Sequence, residues 1–322
     1  YEIPLRLVGS EMCIRDRIIF MVHKYFYTYM FNSNQKGRFK MKIAVIGPGA
    51  VGTTIAYELQ QSLPNVTLIG RANKIMTLQP VNETIKVHSI DDINTQFDVI
   101  IIAVKTHQLN SLIPKLHHFA HNETCFILAQ NGYGLLPQLP FKHKYQAVVY
   151  ISGQKSGNEV VHFRDYRLHL QKDDTTTHLK ALFDTTKIEM VLEDNIEEKI
   201  WYKLLVNLGI NSITALGHNT AQILKINEVK HLCRQLLKEG HQVAEASGIQ
   251  FPNTIVDDII QIYAGYPDHM GTSMYYDIIN HQPLEVEAIQ GFIFKQAKSH
   301  NVNTPHLDTV YALLRSHQSL IN

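Results

Sequence analysis

Immediately after Met41 the chain runs Lys42-Ile43-Ala44-Val45-Ile46 and then Gly47-Pro48-Gly49-Ala50-Val51-Gly52, a β-branched apolar stretch that stops at a GxGxxG motif. Such a stretch suits a strand covered on both faces, and residues 50–63 have helical spacing. The first glycine permits a tight turn, the second lets phosphates approach the backbone, and the third lets helix and strand pack closely. Amides at the helix N-terminus would then face a pyrophosphate. A bare glycine-rich turn is the alternative, but strand, motif, helix and a second strand at 66–69 together favour a dinucleotide site. Gly47, Pro48, Gly49, Ala50, Val51 and Gly52 are therefore assigned to cofactor binding.

Further apolar runs at 84–88, 98–103 and 124–128 predict strands, with helical spacing between the last two at Leu109, Leu112, Ile113 and Leu116. Alternation of this kind predicts βαβ units and a parallel sheet with right-handed crossovers. Between 145 and 191 the signals are β-rich, with runs at 145–151, 159–163 and 167–170. Long helical periods follow at 196–211, 229–246, 254–263, 286–300 and 307–316. The expected fold is α/β: a Rossmann-like doubly wound N-terminal domain, 41–193, followed by an all-helical C-terminal domain, 194–322, with the binding cleft between them. Leu307, Val310, Leu313 and Leu314 are expected in the core; a homodimer interface is the alternative for them.

Residues 1–40 do not share this pattern. Their apolar piece, 18–22, is cut by His23 and Lys24, short of the roughly 20 apolar residues a membrane span needs, and no small-residue signal cleavage site follows. The run 5–17 resembles a translated sequencing adapter rather than protein, so Met41 is the expected start. A net charge of +1 gives no global attraction to nucleic acid or an anionic membrane. Three widely spaced cysteines without a CxxC pair point to a reducing cytoplasm, and 18 scattered histidines without ligand spacing give no metal site.

At the end of the second strand, where an NAD site carries Asp or Glu, stand Gly70 and Arg71. A guanidinium without a carboxylate suits a 2′-phosphate and favours NADP(H); Lys74 is a weaker candidate. Lys105, after the strand ending at Ala103, and Asn131, after the strand ending at Leu128, lie where ligands of open α/β sheets bind. Lys105 is assigned to the cofactor phosphates and Asn131 to the nicotinamide ribose or substrate, although Asn131-Gly132 also favours a turn in its own right. In the helix after residue 196, Lys203, Asn207 and Asn211 recur at four-residue steps and share a face. Their burial without partners would be costly, so a wet or ligand-filled cleft is expected beside them.

Taken together, GxGxxG, the Lys105-Thr106 turn, Gln130-Asn131-Gly132, the Lys203/Asn207/Asn211 helix and Thr272-Ser273-Met274 with Asp277 and Glu285 resemble the ketopantoate reductase family from Met41 to about Ser316. The resemblance implies NADPH-dependent reduction of the small keto acid ketopantoate to pantoate, on the route to pantothenate and coenzyme A. It implies Lys203 as general acid and Glu285 as the group binding the forming hydroxyl, with Asn131, Asn207, Asn211 and Ser273 holding substrate. Burial is expected to lower the Lys203 pKa toward neutrality, against a pull from Glu285. Asn219 is a loose match to a further family asparagine, and Asp277 is expected to tie its loop to a helix end. Two other functions stay open: reduction of another branched 2-keto acid, and an NADP-binding redox sensor without turnover.

Overall fold

The computed structural model describes residues 41–321; the expectations for residues 1–40 lie outside the described residues. The fully buried strand β1 (Ile43–Ile46) pairs in parallel with β2 (Val66–Gly70) on one side and β5 (Phe97–Ile102) on the other. Between β1 and β2 runs α1 (Ala50–Gln60). Beyond β5, α2 (Leu109–Leu116) leads to β6 (Ala120–Leu128), with β7 (His143–Gln146) parallel at that edge. On the far side of β2 lie β4 (Glu83–Ser89), β3 (Lys74–Gln79), β9 (Glu159–Gln171) and β10 (Glu189–Glu193), while β8 (Val148–Ser156) pairs with β9.

The sheet is mixed rather than wholly parallel, because β3 runs antiparallel to β4 and β8 antiparallel to β9. Each pair turns through a residue at positive φ, Asn82 at 55° and Gly157 at 57°, where Asn and Gly pay least for the left-handed region. The runs at 159–163 and 167–170 are one strand with register shifts against β8, and α3 (Asp174–Phe183), held by an Asp173–Thr176 capping box, stands where only β signals are legible.

After Glu193 every regular element among the described residues is helical: α4 (Ile196–Leu216), α5 (Asn227–Ala246), α6 (Ile255–Ala264), α7 (Ser273–Ile279), α8 (Gln290–Ser299) and α9 (Pro305–Ile321). The helix expected at 286–300 begins four residues later, its first residues forming a turn. Buried residues surround α4 on almost every side, and α5, α7 and α9 pack on it. Gly209 also admits Tyr263 of α6, since a Cβ there would sit 2.5 Å from the Tyr263 hydroxyl, which donates to the Val206 carbonyl at 2.6 Å. Leu307, Val310 and Leu314 are buried in this core, whereas Leu313 is exposed.

Glu239 of α5 is 7% exposed, and its carboxylate accepts from the amides of His306 and Leu307 and contacts His306 Nδ1 at 2.6 Å. It thus satisfies amides at the first turn of α9 from a neighbouring helix, a favourable place for negative charge. Glu239→Ala is expected to lower unfolding free energy by about 1–3 kcal/mol, measured by urea denaturation, without changing the secondary-structure content.

Candidate active site

The glycine turn is fixed by close backbone approach. Gly47 has φ 112°, and a Cβ on it would lie 2.7 Å from the Ala103 carbonyl carbon; one on Gly52 would lie 2.1 Å from the Gly47 oxygen. At Gly49 nothing stands within 4 Å of an added Cβ, so the loop is open on the side where α1 begins. No side chain caps α1, and its first amides remain available to an anion. These residues fit a dinucleotide pyrophosphate: a cradle open in front and too crowded behind for side chains.

Gly70 lets Pro48 lie against the end of β2, a Cβ there coming within 3.0 Å of Pro48 Cγ. Arg71 follows, exposed, in a loop pinned by Asn73, whose carboxamide accepts from the Ser89 amide at 2.9 Å and donates to Asp92 at 2.6 Å. Burial, then the charges of Lys155 and Arg71, lower the pKa of Lys74. Three cations therefore gather beside the end of β2, and Lys155, on β8, is the one that only the fold reveals.

Two clusters contain the other candidates. In the first, Lys105 Nζ lies 2.8 Å from Asp277 Oδ2 and 3.5 Å from Glu285 Oε2, and the Thr106 amide donates to Glu285 Oε1 at 3.2 Å. Burial pulls the Lys105 pKa down, but Glu285 and Asp277 outweigh it and the net direction is up. Burial raises Asp277 against the opposing effect of Lys105 and lowers His107. Asp277 does not tie its loop to a helix end: it lies within α7, and Thr272 is the cap, accepting from the Tyr275 amide. Ser273 is exposed at the start of α7, one turn before Asp277.

In the second cluster Lys203 and Asn131 line one small cavity with Gln130, Gly132, Ala147, Val148, Val149, Ile200 and Leu204. The Lys203 ammonium lies over the Tyr150 ring, 4.7 Å from its centroid, a cation–π contact. Burial, then the charge of Arg164, lowers its pKa to about 8, while Asp165 opposes. The pull expected from Glu285 is not among these causes; Glu285 is engaged by Lys105 and Thr106. Asn207 and Asn211 are buried further along α4. Asn219 instead turns its carbonyl to the Thr220 amide and the Gln222 carboxamide, a local cap.

The Asn131 loop joins the clusters mechanically: the Tyr133 amide donates to the Ala288 carbonyl at 2.8 Å, and Gly132, at φ 89°, leaves only 2.5 Å between an added Cβ and Ala288. Among the described residues no group of three or more His, Cys, Asp or Glu could hold a metal ion, and no helix is long and apolar enough to cross a membrane.

A dinucleotide-type cradle on the sheet, with a buried helix lysine of lowered pKa in the same protein, fits an oxidoreductase. Residues 43–174 match the family described as ketopantoate reductase PanE/ApbA, and residues 195–318 match its C-terminal counterpart. A structure of a dimeric ketopantoate reductase from Staphylococcus aureus superposes with a TM-score of 0.86 at 57% identity, covering 88% of this chain and 100% of that one. The 2-dehydropantoate 2-reductase of Mycobacterium tuberculosis is 27% identical over 289 residues, 84% of this chain and 96% of that protein. D-mandelate dehydrogenase in complex with NADH and anilino(oxo)acetate, at 22% identity and a TM-score of 0.79 over 88% of this chain and 100% of that one, shares the fold. The chain belongs to the ketopantoate reductase family.

Lys105→Met would leave two buried carboxylates facing each other. Because Lys105 is 38% exposed, the expected loss is about 1–3 kcal/mol, below that of a wholly buried pair. Without the cation the carboxylates bind protons more readily in the folded state than unfolded, so the loss should shrink as pH falls. Denaturation at pH 8 and pH 5 checks both.

Proposed function

We propose that this chain reduces 2-dehydropantoate to pantoate with NADPH, as a cytoplasmic enzyme of the pantothenate and coenzyme A route. The observation that carries the reading is Lys203, a cleft-wall ammonium whose pKa falls to about 8, beside Asn131 in one cavity. When bound, the reduced nicotinamide supplies a hydride to the ketone carbon. Lys203 hydrogen-bonds the ketone oxygen, stabilises the developing negative charge and donates the proton, a role worth about 10²–10⁴-fold. Asn131, Asn207, Asn211 and Ser273 bind the substrate's hydroxyl and carboxylate. Glu285 accepts from the forming hydroxyl, for which it must exchange part of its contact with Lys105.

The pyrophosphate lies against the turn from Gly47 to Gly52, with Lys105 near the phosphates, and Arg71 takes the 2′-phosphate with Lys74 and Lys155 beside it. A surface with three cations and no carboxylate in the ribose position favours NADPH over NADH. The division into domains at 41–193 and 194–322 puts the hydride donor on one and the proton donor on the other. The dimeric state of the Staphylococcus aureus relative supports a homodimer.

NADPH oxidation followed at 340 nm with ketopantoate, beside a panel of other 2-keto acids, tests the substrate. Turnover only with another acid would redirect the assignment within the same chemistry, and tight NADPH binding with no turnover on any acid would favour a sensor. Lys203→Ala is expected to reduce kcat by at least about 10²-fold with NADPH affinity unchanged; turnover within a fewfold of wild type would remove the general acid. In the wild type, kcat/KM should fall as pH rises through about 8, where the ammonium loses its proton. Arg71→Ala should weaken NADPH far more than NADH, and equal losses would overturn the 2′-phosphate assignment.

A further inference from the structure

Gln130 directly precedes Asn131 and reaches across to Val104, the residue before Lys105. It is 6% exposed, and its Nε2 donates to the Val104 carbonyl at 2.7 Å. That bond fixes which end of the carboxamide is nitrogen, because a carbonyl oxygen there would face another acceptor. Its Oε1 then has no hydrogen-bond partner in the protein, and a buried acceptor without one is rare. The same side chain lines the cavity shared by Lys203 and Asn131, which measures ≈ 10 Å³, room for about one water where polar partners converge. Lys203 lines the same cavity, and its ammonium lies over the Tyr150 ring.

We propose that Gln130 is a positioning residue for Lys203: its Oε1 accepts from a single water in this cavity, that water accepts from the Lys203 ammonium, and a second ammonium N–H is thereby aimed at the substrate ketone. The proposal rests on Lys203 as general acid. Tyr150 alone cannot orient the ammonium, because attraction to a ring face does not fix rotation about the last carbon–nitrogen bond. A hydrogen-bonded water does, and it also favours the charged lysine. The groups that face or flank this ammonium are Tyr150 on β8, Arg164 and Asp165 on β9, and Lys199 one turn back on α4; Glu285 is held by Lys105. Asp165 is the one anion among them that favours the proton on Lys203, and the Gln130 carbonyl with its water adds a neutral acceptor.

The test compares pH profiles of kcat for wild type, Gln130→Met and Gln130→Glu. Both variants lose the donor to Val104, but the glutamate keeps an acceptor. Gln130→Met is expected to lower kcat about tenfold and move the alkaline limb down by about one pH unit, a tenfold change in proton affinity. Gln130→Glu should move that limb upward, and NADPH affinity should hold in both. Limbs superposed on wild type in both variants would overturn the proposal, leaving Gln130 a support for Val104 alone. Should the variants fail to fold, a high-resolution crystal structure of the wild type decides: density for a water bridging Gln130 Oε1 and Lys203 Nζ supports it, and a protein partner on Oε1 or no such density overturns it. Turnover retained by Lys203→Ala would instead remove the general acid itself, an outcome distinct from unmoved limbs with an inactive Lys203→Ala.

Discussion

The ammonium of Lys105 is shared by Asp277 and Glu285, and much of the site's geometry depends on that one cation. Lys105 leaves the end of β5, whereas Asp277 stands on α7 and Glu285 in the turn before α8. Two carboxylates brought this close in a poorly hydrated place would repel and take up protons; one lysine between them keeps both usable as acceptors. The Thr106 amide adds a second hold on Glu285. The end of the central sheet is thereby tied to the helices at the place where the glycine turn opens, so the phosphate cradle and the acidic residues keep a fixed relation.

The second lysine is treated in the opposite way. Lys105 receives two anions, and its pKa rises; Lys203, its ammonium over the Tyr150 ring, is buried beside the Arg164 guanidinium, and its pKa falls to about 8. The two environments suit a structural lysine and, on the proposed function, an acid–base one. A lysine that must stay charged to hold carboxylates needs counter-charges, while one that must give up a proton near neutral pH needs burial and no strong anion. Glu285 is held by Lys105 and the Thr106 amide, and it is not among the groups that shift Lys203.

The parts legible in sequence are those whose physics is local. The tight turn at Gly47, the helix starting at Ala50 and the four-residue recurrence of Lys203, Asn207 and Asn211 each follow from neighbouring residues. β3 escaped because Met76 and Leu78 point inward while Ile75, on its outward face, is 61% exposed, which spoils the alternation. α7 is only seven residues long, too short for a periodic signal. The partner of Lys105 lies 172 residues away, and no spacing rule reaches that far. Asp277 accordingly looked like a cap, and its ionic role emerged only when α7 and β5 were brought together. Tyr150 and Lys155 are hidden for a related reason: both sit on β8, Tyr150 within a strand signal that conveys nothing about chemistry and Lys155 beyond the end of that signal.

The β8–β9 hairpin explains why an added antiparallel pair matters to a fold built on parallel strands. Gly153 brings β8 against β9 and near α1, a Cβ there lying 2.7 Å from the Val161 carbonyl and 3.5 Å from Ala50 Cβ. From that position β8 offers Lys155 toward the cations beside β2 and Tyr150 toward Lys203, while the irregular stretch of β9, with Asp165 at φ 63°, brings Arg164 over the Tyr266 ring. Strand alternation and the register shifts send successive side chains to different surroundings, so one hairpin serves both ends of the site. A purely parallel sheet would carry its ligand contacts on loops at the strand ends. Here the hairpin adds a rigid wall, which fixes the aromatic and cationic surroundings of Lys203 without relying on a mobile loop.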